Sequence, residues 1–142
     1  GLYRPTYNSK MRSLGPAFEQ INTEQMVKRT YNLVSPVDAS SPPGPSLTLH
    51  KGQSQQFTLT PQQPATHSLT VEWFLDGVSQ GFGTSFNLNT APLTVAAHTL
   101  SATVTDVSPM VRTDPTHLLD DTISWTITLT NPLVRRGQLT GD

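Results

Sequence analysis

The 142-residue sequence contains no cysteine, and only 13% of its residues are charged. Without cysteine the chain has no thiolate metal ligand, no cysteine nucleophile and no disulfide of the antibody type. The net charge of −1 gives no electrostatic reason to expect nucleic acid or an anionic membrane as a partner. No apolar run approaches the ~20 residues that a membrane-spanning helix needs. The composition therefore predicts no nucleic-acid partner and no membrane partner.

The N-terminus also lacks the basic and then apolar stretch of a signal peptide. The chain begins at Gly1-Leu2-Tyr3 without methionine. From this start we expect a processed product or a piece cut from a longer protein.

Apolar and polar residues alternate through most of the chain after residue 46. The strongest run, residues 69–75, places four large apolar side chains on one face. It ends at Asp76-Gly77, a pair typical of tight hairpin turns. Short alternating runs separated by turn residues predict an all-β, immunoglobulin-like antiparallel sandwich of about seven strands. The residues expected to face inward are Leu69, Val71, Trp73, Leu100, Val104, Ile123, Trp125 and Ile127.

The two tryptophans lie in the middle of such runs. Trp73 and Trp125 share the apolar face of their strands, where each ring can bury a large area. A binding site would more often place aromatic rings on loops or on the polar face. We therefore interpret both as core residues.

Residues 14–34 are the one stretch with a helical pattern. Leu14, Phe18 and Ile21 share a face at the spacing i, i+4, i+7, and Lys28 and Arg29 fall in the last turns, where cations are favoured. The segment SPVDASSPPGPS at 35–46 is rich in Pro and Ser and predicts a semi-extended linker. The sequence thus predicts an N-terminal segment with a helix at 1–34, a linker at 35–46, the sandwich at 47–132 and a tail at 133–142.

Histidine and aspartate supply the remaining candidates for chemistry. The four histidines have no metal-ligand spacing, so we interpret them as scattered surface or edge residues rather than zinc ligands. No Gly-x-Ser-x-Gly segment supports a serine nucleophile. A calcium site near Asp120 and Asp121 is an alternative, because calcium binds several oxygens at sandwich rims. Turn chemistry explains the same aspartates, and no Asp-x-Asp-x-Asp spacing is present.

Two stretches carry a resemblance to known sandwiches. Residues 67–76, HSLTVEWFLD, and residues 97–106, AHTLSATVTD, are similar to strands of PKD-like and bacterial immunoglobulin-like modules. Those modules share a W-x-x-D-G strand end and a later H-T-L-x-A-x-V-x-D strand. The resemblance covers most of residues 47–131 and implies the fold, whereas such sandwiches serve many functions.

The N-terminal segment carries a second resemblance. Tyr3-Arg4-Pro5, the residues NSKMRSLG at 8–15 and the helical segment 16–31 resemble the end of the catalytic domain in bacterial IgA-peptidase-type zinc metallopeptidases. In that metzincin-like group a methionine turn forms an apolar floor beneath the metal-binding histidines. The resemblance implies that Met11 is this methionine.

The same resemblance implies roles for the residues around that turn. Tyr3, Arg4 and Arg12 would lie near the substrate cleft of the parent enzyme, where an arginine can bind a substrate carbonyl or carboxylate. Alternatively, the arginines only solvate the turn. No His-Glu-x-x-His occurs in this chain, and a catalytic zinc needs three protein ligands. The resemblance therefore places the zinc upstream, and we expect neither enzyme activity nor a cofactor in this chain alone.

Together these features predict a non-catalytic C-terminal accessory domain of a secreted zinc metallopeptidase, supporting stability or contact with a substrate or surface. Its expected partners are the upstream catalytic domain and either a protein substrate or a cell-surface glycan. The expected location is secreted, periplasmic or at the bacterial cell surface. One alternative is an adhesion or carbohydrate-binding module that uses Phe74 or Phe82; another is a structural spacer without a ligand.

The protease interpretation also predicts the state of the N-terminal segment. Leu14, Phe18, Ile21 and Met26 would have evolved to pack on a body that is absent from this chain. An isolated helix of about 15 residues is marginal in water. We therefore expect a helix that is frayed or laid against the sandwich, and a poorly ordered turn at Met11.

Overall fold

The structure is a computed structural model that describes Lys10 and residues 12–132. This part of the chain contains one helix, α1 (Gln20–Tyr31), followed by eight strands. The strands are β1 (Val37–Ser41), β2 (Ser46–His50), β3 (Ser54–Pro61), β4 (Thr70–Leu75), β5 (Val78–Phe82), β6 (Ser85–Asn89), β7 (Ala97–Thr105) and β8 (Asp120–Thr130). In the described part of the chain, no helix has the length and apolar content needed to span a membrane.

The strands form two sheets, one in the order β1-β3-β6 and the other in the order β2-β8-β7-β4-β5. This architecture confirms the predicted all-β, immunoglobulin-like sandwich preceded by a short helix. The pairing of β2 with β8 is parallel, whereas the other pairings are antiparallel. Alternating apolar residues set the buried face of a strand but not the direction of its neighbour, so the pattern did not reveal this parallel pair.

The two-residue period is clearest in the central strands of the larger sheet. In β7, Leu100, Ala102 and Val104 are fully buried, and the residues between them are partly exposed. In β8, Trp125 and Ile127 are buried next to exposed threonines. Because β7 lies between β8 and β4, its apolar face contributes to the middle of the core.

Four aromatic rings join the two sheets. The rings of Trp73 and Trp125 stack at 5.9 Å between centroids, and Trp73 also stacks on Phe86 at 5.7 Å. Phe57 meets Trp125 edge to face at 5.2 Å. The tryptophans belong to the larger sheet and the phenylalanines to the smaller one, so this aromatic cluster holds the sandwich closed.

The segment 35–46, predicted as a linker, differs in the structure. It contains β1 and the first residue of β2, and β1 pairs with β3 from Val37 opposite Pro61 to Ser41 opposite Thr58. The Pro42 carbonyl accepts a hydrogen bond from Trp125 Nε1 at 3.0 Å. The sandwich therefore begins about ten residues earlier than the sequence predicts, because β1 is a short edge strand without large alternating side chains.

The helix is also shorter than the predicted 14–34. Glu19 is extended, with φ −77° and ψ 163°, so α1 begins at Gln20. Upstream, Gly15 has φ +109°, a left-handed conformation that glycine adopts readily and that a helix cannot contain. This glycine separates Leu14 from the helix on which it was predicted to continue the apolar face.

Replacing Trp73 with alanine tests the aromatic cluster. Trp73 is 1% exposed, and its Nε1 donates to the Gly83 carbonyl at 2.7 Å. We expect Trp73→Ala to lower the free energy of unfolding by about 3–5 kcal/mol, measured by urea denaturation followed by circular dichroism. Phe82→Ala is the control, because Phe82 is 73% exposed and should change stability by about 0.5 kcal/mol or less. A Trp73 loss below about 1 kcal/mol would contradict the role of this ring in the core.

Candidate functional site

The helix contacts the sandwich through its polar face. Glu24, Val27, Lys28 and Tyr31 follow the i, i+3, i+4, i+7 spacing that places side chains on one side of a helix. These four are the more buried residues of α1 around its middle and C-terminal end. They face the segment that follows β7, residues 106–119, and the loop between β3 and β4.

Glu24 forms the first contact. It is 5% exposed; its Oε1 accepts from Lys28 Nζ at 2.8 Å, and its Oε2 accepts from Arg112 Nε at 2.9 Å. The hydrogen bonds from Lys28 and then Arg112 lower the pKa of Glu24 to about 2, although burial acts in the opposite direction. Glu24 is therefore ionised near neutral pH and ties α1 to a residue 88 positions later.

A second contact, here called the latch, consists of Tyr31, Asp106 and His67. Tyr31 Oη donates to Asp106 Oδ2 at 2.5 Å, and Asp106 Oδ1 pairs with His67 Nε2 at 2.5 Å. Asp106 is 6% exposed. Burial, and then the hydrogen bond and charge of Asp106, raise the pKa of Tyr31 well above its usual 10. Tyr31 therefore keeps its proton and acts as a donor.

The latch lies in a groove of about 290 Å³ between α1 and the sandwich. The last turn of the helix and the β3–β4 loop form two of its walls, and Met110 and Ser108 complete it. The walls are mostly apolar, and the latch contributes polar groups from the helix end, the β3–β4 loop and the residue after β7. The side chains that line it include Val27, Val34, Gln62, Pro64, Thr66 and Met110.

His67 links a hydroxyl to a carboxyl group. Its Nδ1 lies 3.0 Å from Thr66 Oγ1, and its Nε2 contacts Asp106. Hydrolase triads connect hydroxyl, imidazole and carboxyl groups in this order. Here the hydroxyl belongs to the residue next to His67 in the chain, and Asp106 is shared with Tyr31. These contacts fit a structural role, in which the latch fixes the end of α1.

The residues that the protease resemblance singled out are mostly outside this region. Tyr3, Arg4 and Met11 lie outside the described residues, so their predicted roles stay predictions. Arg12 is described and exposed. Neither the groove nor the latch involves it.

The aspartates proposed for calcium already accept hydrogen bonds from the protein. Asp120 Oδ2 pairs with His117 Nδ1 at 3.0 Å. Asp121 Oδ2 accepts from Ser35 Oγ at 2.5 Å, and its Oδ1 accepts from the Thr122 amide at 2.8 Å. Within Lys10 and residues 12–132, no group of three His, Asp or Glu side chains could hold a metal ion.

One histidine differs from the predicted surface position. His98 is 9% exposed and lies against Asp76. The two belong to the W-x-x-D-G and H-T-L stretches, which sequence reasoning had used only to recognise the fold. The latch was missed altogether, because its three residues are separated by 36 and 39 positions and no local pattern joins them.

No family model matches this sequence, and no curated protein does. Among solved structures, a quinoprotein alcohol dehydrogenase-like protein from Bacteroides thetaiotaomicron is similar with a TM-score of 0.50 and 14% identity, covering 70% of this chain. The similarity spans 21% of that protein's length. Fibronectin(III)-like modules of Clostridium thermocellum CbhA give a TM-score of 0.44 and 13% identity, covering 66% of this chain and 96% of theirs. At such identities the first similarity shows the fold alone.

Removing the Tyr31 hydroxyl tests whether the latch holds the helix. A hydrogen bond to a charged group contributes about 1.5–3 kcal/mol, and we expect the lower end because Tyr31 is partly exposed. Tyr31→Phe should therefore speed amide hydrogen exchange throughout α1 by about tenfold, while exchange in β7 stays unchanged. Thr30→Val is the matched control, because the Thr30 hydroxyl bonds the Met26 carbonyl inside the helix. Equal exchange in the two variants would show that the latch does not hold α1.

Proposed function

We propose that this chain is a non-catalytic accessory module of a secreted, IgA-peptidase-type zinc metallopeptidase, joined to the catalytic domain through α1. The sequence resemblance in residues 1–35 supports the identity of the parent enzyme. The β-sandwich fold and the absence of a metal-ligand group among the described residues support the accessory role. The zinc belongs to the upstream domain in this proposal, and no catalytic step is assigned to the present chain.

The observation that carries the proposal is that α1 has two different faces. Its sandwich side is held by the Glu24 ion pairs and the latch. Met26 lies about 200° around the helix from Glu24, and it is 52% exposed. Phe18, just before the helix, is 39% exposed, and Leu14 is 96% exposed. Large apolar side chains therefore remain uncovered on the N-terminal segment.

This arrangement suits a joint between two bodies better than the cap of a self-contained sandwich. A helix that only covered a sandwich would turn its apolar face inward, because burial of apolar area drives such packing. In α1 the inward side carries one aliphatic residue, Val27, beside an ionised glutamate, a lysine and a tyrosine hydroxyl. The polar contacts set the position of the helix, and the apolar side chains stay available for the neighbouring domain.

In the parent enzyme, this joint would fix the direction in which the sandwich projects from the catalytic domain. The sandwich would then add stability, or place a protein substrate or a cell-surface glycan near the cleft. Secretion follows from the proposed parent, since such peptidases act outside the cell.

A substitution at Met26 tests the joint. Glutamine matches methionine in length and helix propensity, so Met26→Gln should change the stability of this chain alone by about 0.5 kcal/mol or less. In the polypeptide that includes the residues encoded before Gly1, the same change should cost about 1–2 kcal/mol, because Met26 would be buried there. Chemical denaturation of both forms measures the difference.

The same longer polypeptide should contain a His-Glu-x-x-His segment and lose peptidase activity on zinc removal. An upstream sequence without that segment would contradict the proposed parent enzyme. If Met26→Gln lowers the free energy of unfolding equally in the two forms, α1 is not the joint to a neighbouring domain. The identity of the parent enzyme would then still be tested by the activity assay.

Carbohydrate binding is the second candidate, and one observation favours it. Phe82 is 73% exposed at the end of β5, which is an edge strand of the larger sheet. Val78 on the same strand is 63% exposed. An exposed aromatic ring at a sheet edge can stack on the apolar face of a sugar.

A glycan array tests this alternative directly. If the module binds carbohydrate, the chain should bind to glycans on the array, and Phe82→Ala should abolish that signal. Val95→Ala is the control, because Val95 is also exposed, at 44%, but precedes β7 rather than lying on β5. Under the accessory-module proposal we expect no signal that depends on Phe82.

A further inference from the structure

Two residues of the sandwich meet at the end of the larger sheet. Asp76 occupies the turn between β4 and β5 with φ +51°, and His98 is the second residue of β7. His98 Nδ1 lies 2.6 Å from Asp76 Oδ2. The imidazole side chain is 10% exposed and the carboxyl group 47% exposed. The pair thus has a buried member and a half-exposed member.

The contact of the second His98 nitrogen determines how many protons the imidazole ring carries. His98 Nε2 lies 3.0 Å from the Thr94 carbonyl oxygen, which can only accept, so Nε2 must carry a proton. Asp76 Oδ1 already accepts from the Thr99 amide at 2.8 Å. If Asp76 is ionised, Nδ1 must also donate, and only the imidazolium has a proton on both nitrogens.

The charges on both residues agree with this assignment. The hydrogen bond from His98, and then the Thr99 amide, lower the pKa of Asp76 below its usual 3.8. The Asp76 hydrogen bond, and then the Thr94 carbonyl, raise the pKa of His98 above its usual 6.5, although burial opposes both effects. The charged group in contact with His98 is Asp76. The residue opposite His98 on β8 is Ile127, which is uncharged.

We propose that Asp76 and His98 form a pH-sensitive clamp, which holds the β4–β5 turn and the segment before β7 together while His98 is an imidazolium. Loss of one proton leaves the ring a single donor for two acceptors, so one of its two hydrogen bonds must break. The ring then loses its contact with either the Asp76 carboxylate or the Thr94 carbonyl, and this end of the sandwich is held less tightly. The turn stays attached to β7 through the Asp76 amide, which donates to the Thr99 carbonyl at 2.8 Å, and through the Thr99 amide, which donates to Asp76 Oδ1.

The sign of the pH effect follows from both shifts. Because the folded state raises the pKa of His98, its contribution is full below the unfolded value of about 6.5 and is lost as the pH rises through the folded value. Because folding lowers the pKa of Asp76, its contribution is lost only as the pH falls through the folded value. The clamp is therefore strongest between about pH 4 and pH 6.5.

Nuclear magnetic resonance of the whole chain tests the clamp. We expect the ¹⁵N signals of the His98 ring to show protons on both nitrogens at pH 6, and its titration midpoint to lie higher in the folded chain than in urea. Asp76→Asn should lower that folded midpoint, because it removes the carboxylate that stabilises the imidazolium. Asparagine tolerates the left-handed conformation of residue 76 and can still accept from the Thr99 amide, so the variant should keep its fold.

Urea denaturation provides the second readout, which does not depend on the Asp76 variant. Between pH 6 and pH 8.5 the wild-type urea midpoint should fall more than that of His98→Gln. The exposed His117–Asp120 pair also raises a histidine pKa, but it is present in both proteins and cancels in the comparison. A folded His98 midpoint at or below its value in urea would overturn the proposal. Parallel pH profiles of wild type and His98→Gln would overturn it as well.

Discussion

The stacking of Trp73 on Trp125 is the contact on which the rest of this structure depends. Each indole carries one N–H that must find an acceptor when the ring is buried. Trp73 finds it in the Gly83 carbonyl of the β5–β6 turn, and Trp125 finds it in the Pro42 carbonyl between β1 and β2. The core therefore also fixes two surface connections, β5–β6 and β1–β2, and each of them crosses from one sheet to the other.

Strand β7 runs through this core and positions a carboxyl–histidine pair at each end of the sandwich. Its interior residues are buried beside the tryptophans, so its register against β4 and β8 is set by packing. His98 near its beginning forms the clamp with Asp76, and Asp106 directly after its end forms the latch with Tyr31 and His67. Asp106 lies eight positions after His98, which corresponds to about 27 Å of extended chain. The same rigid strand thus presents one carboxyl–histidine pair to the turns at one end and another to α1 at the other.

The sequence revealed the parts of the fold that depend on the local alternation of apolar and polar residues. Alternation of large apolar residues predicted the central strands and the inward position of residues such as Leu100 and Ile127. It did not reveal β1, whose residues VDASS bury little, or the parallel direction of β2. The latch and the Glu24–Arg112 pair join residues far apart in the chain, and no spacing rule connects them before the fold is known. Asp76 and His98 were visible as motif residues, but their contact depends on the antiparallel pairing of β4 with β7.

The contacts that close the sandwich differ in kind from those that hold α1 against it. This difference bears on how the proposed module would work. The sandwich is closed by apolar burial, which depends little on ionic strength, whereas α1 is held by ion pairs and hydrogen bonds at the edge of an open groove. Such peripheral polar contacts open at lower free energy than a packed core. Motion between the sandwich and a body bound to α1 would therefore begin at Glu24 and the latch, while the aromatic cluster stays closed.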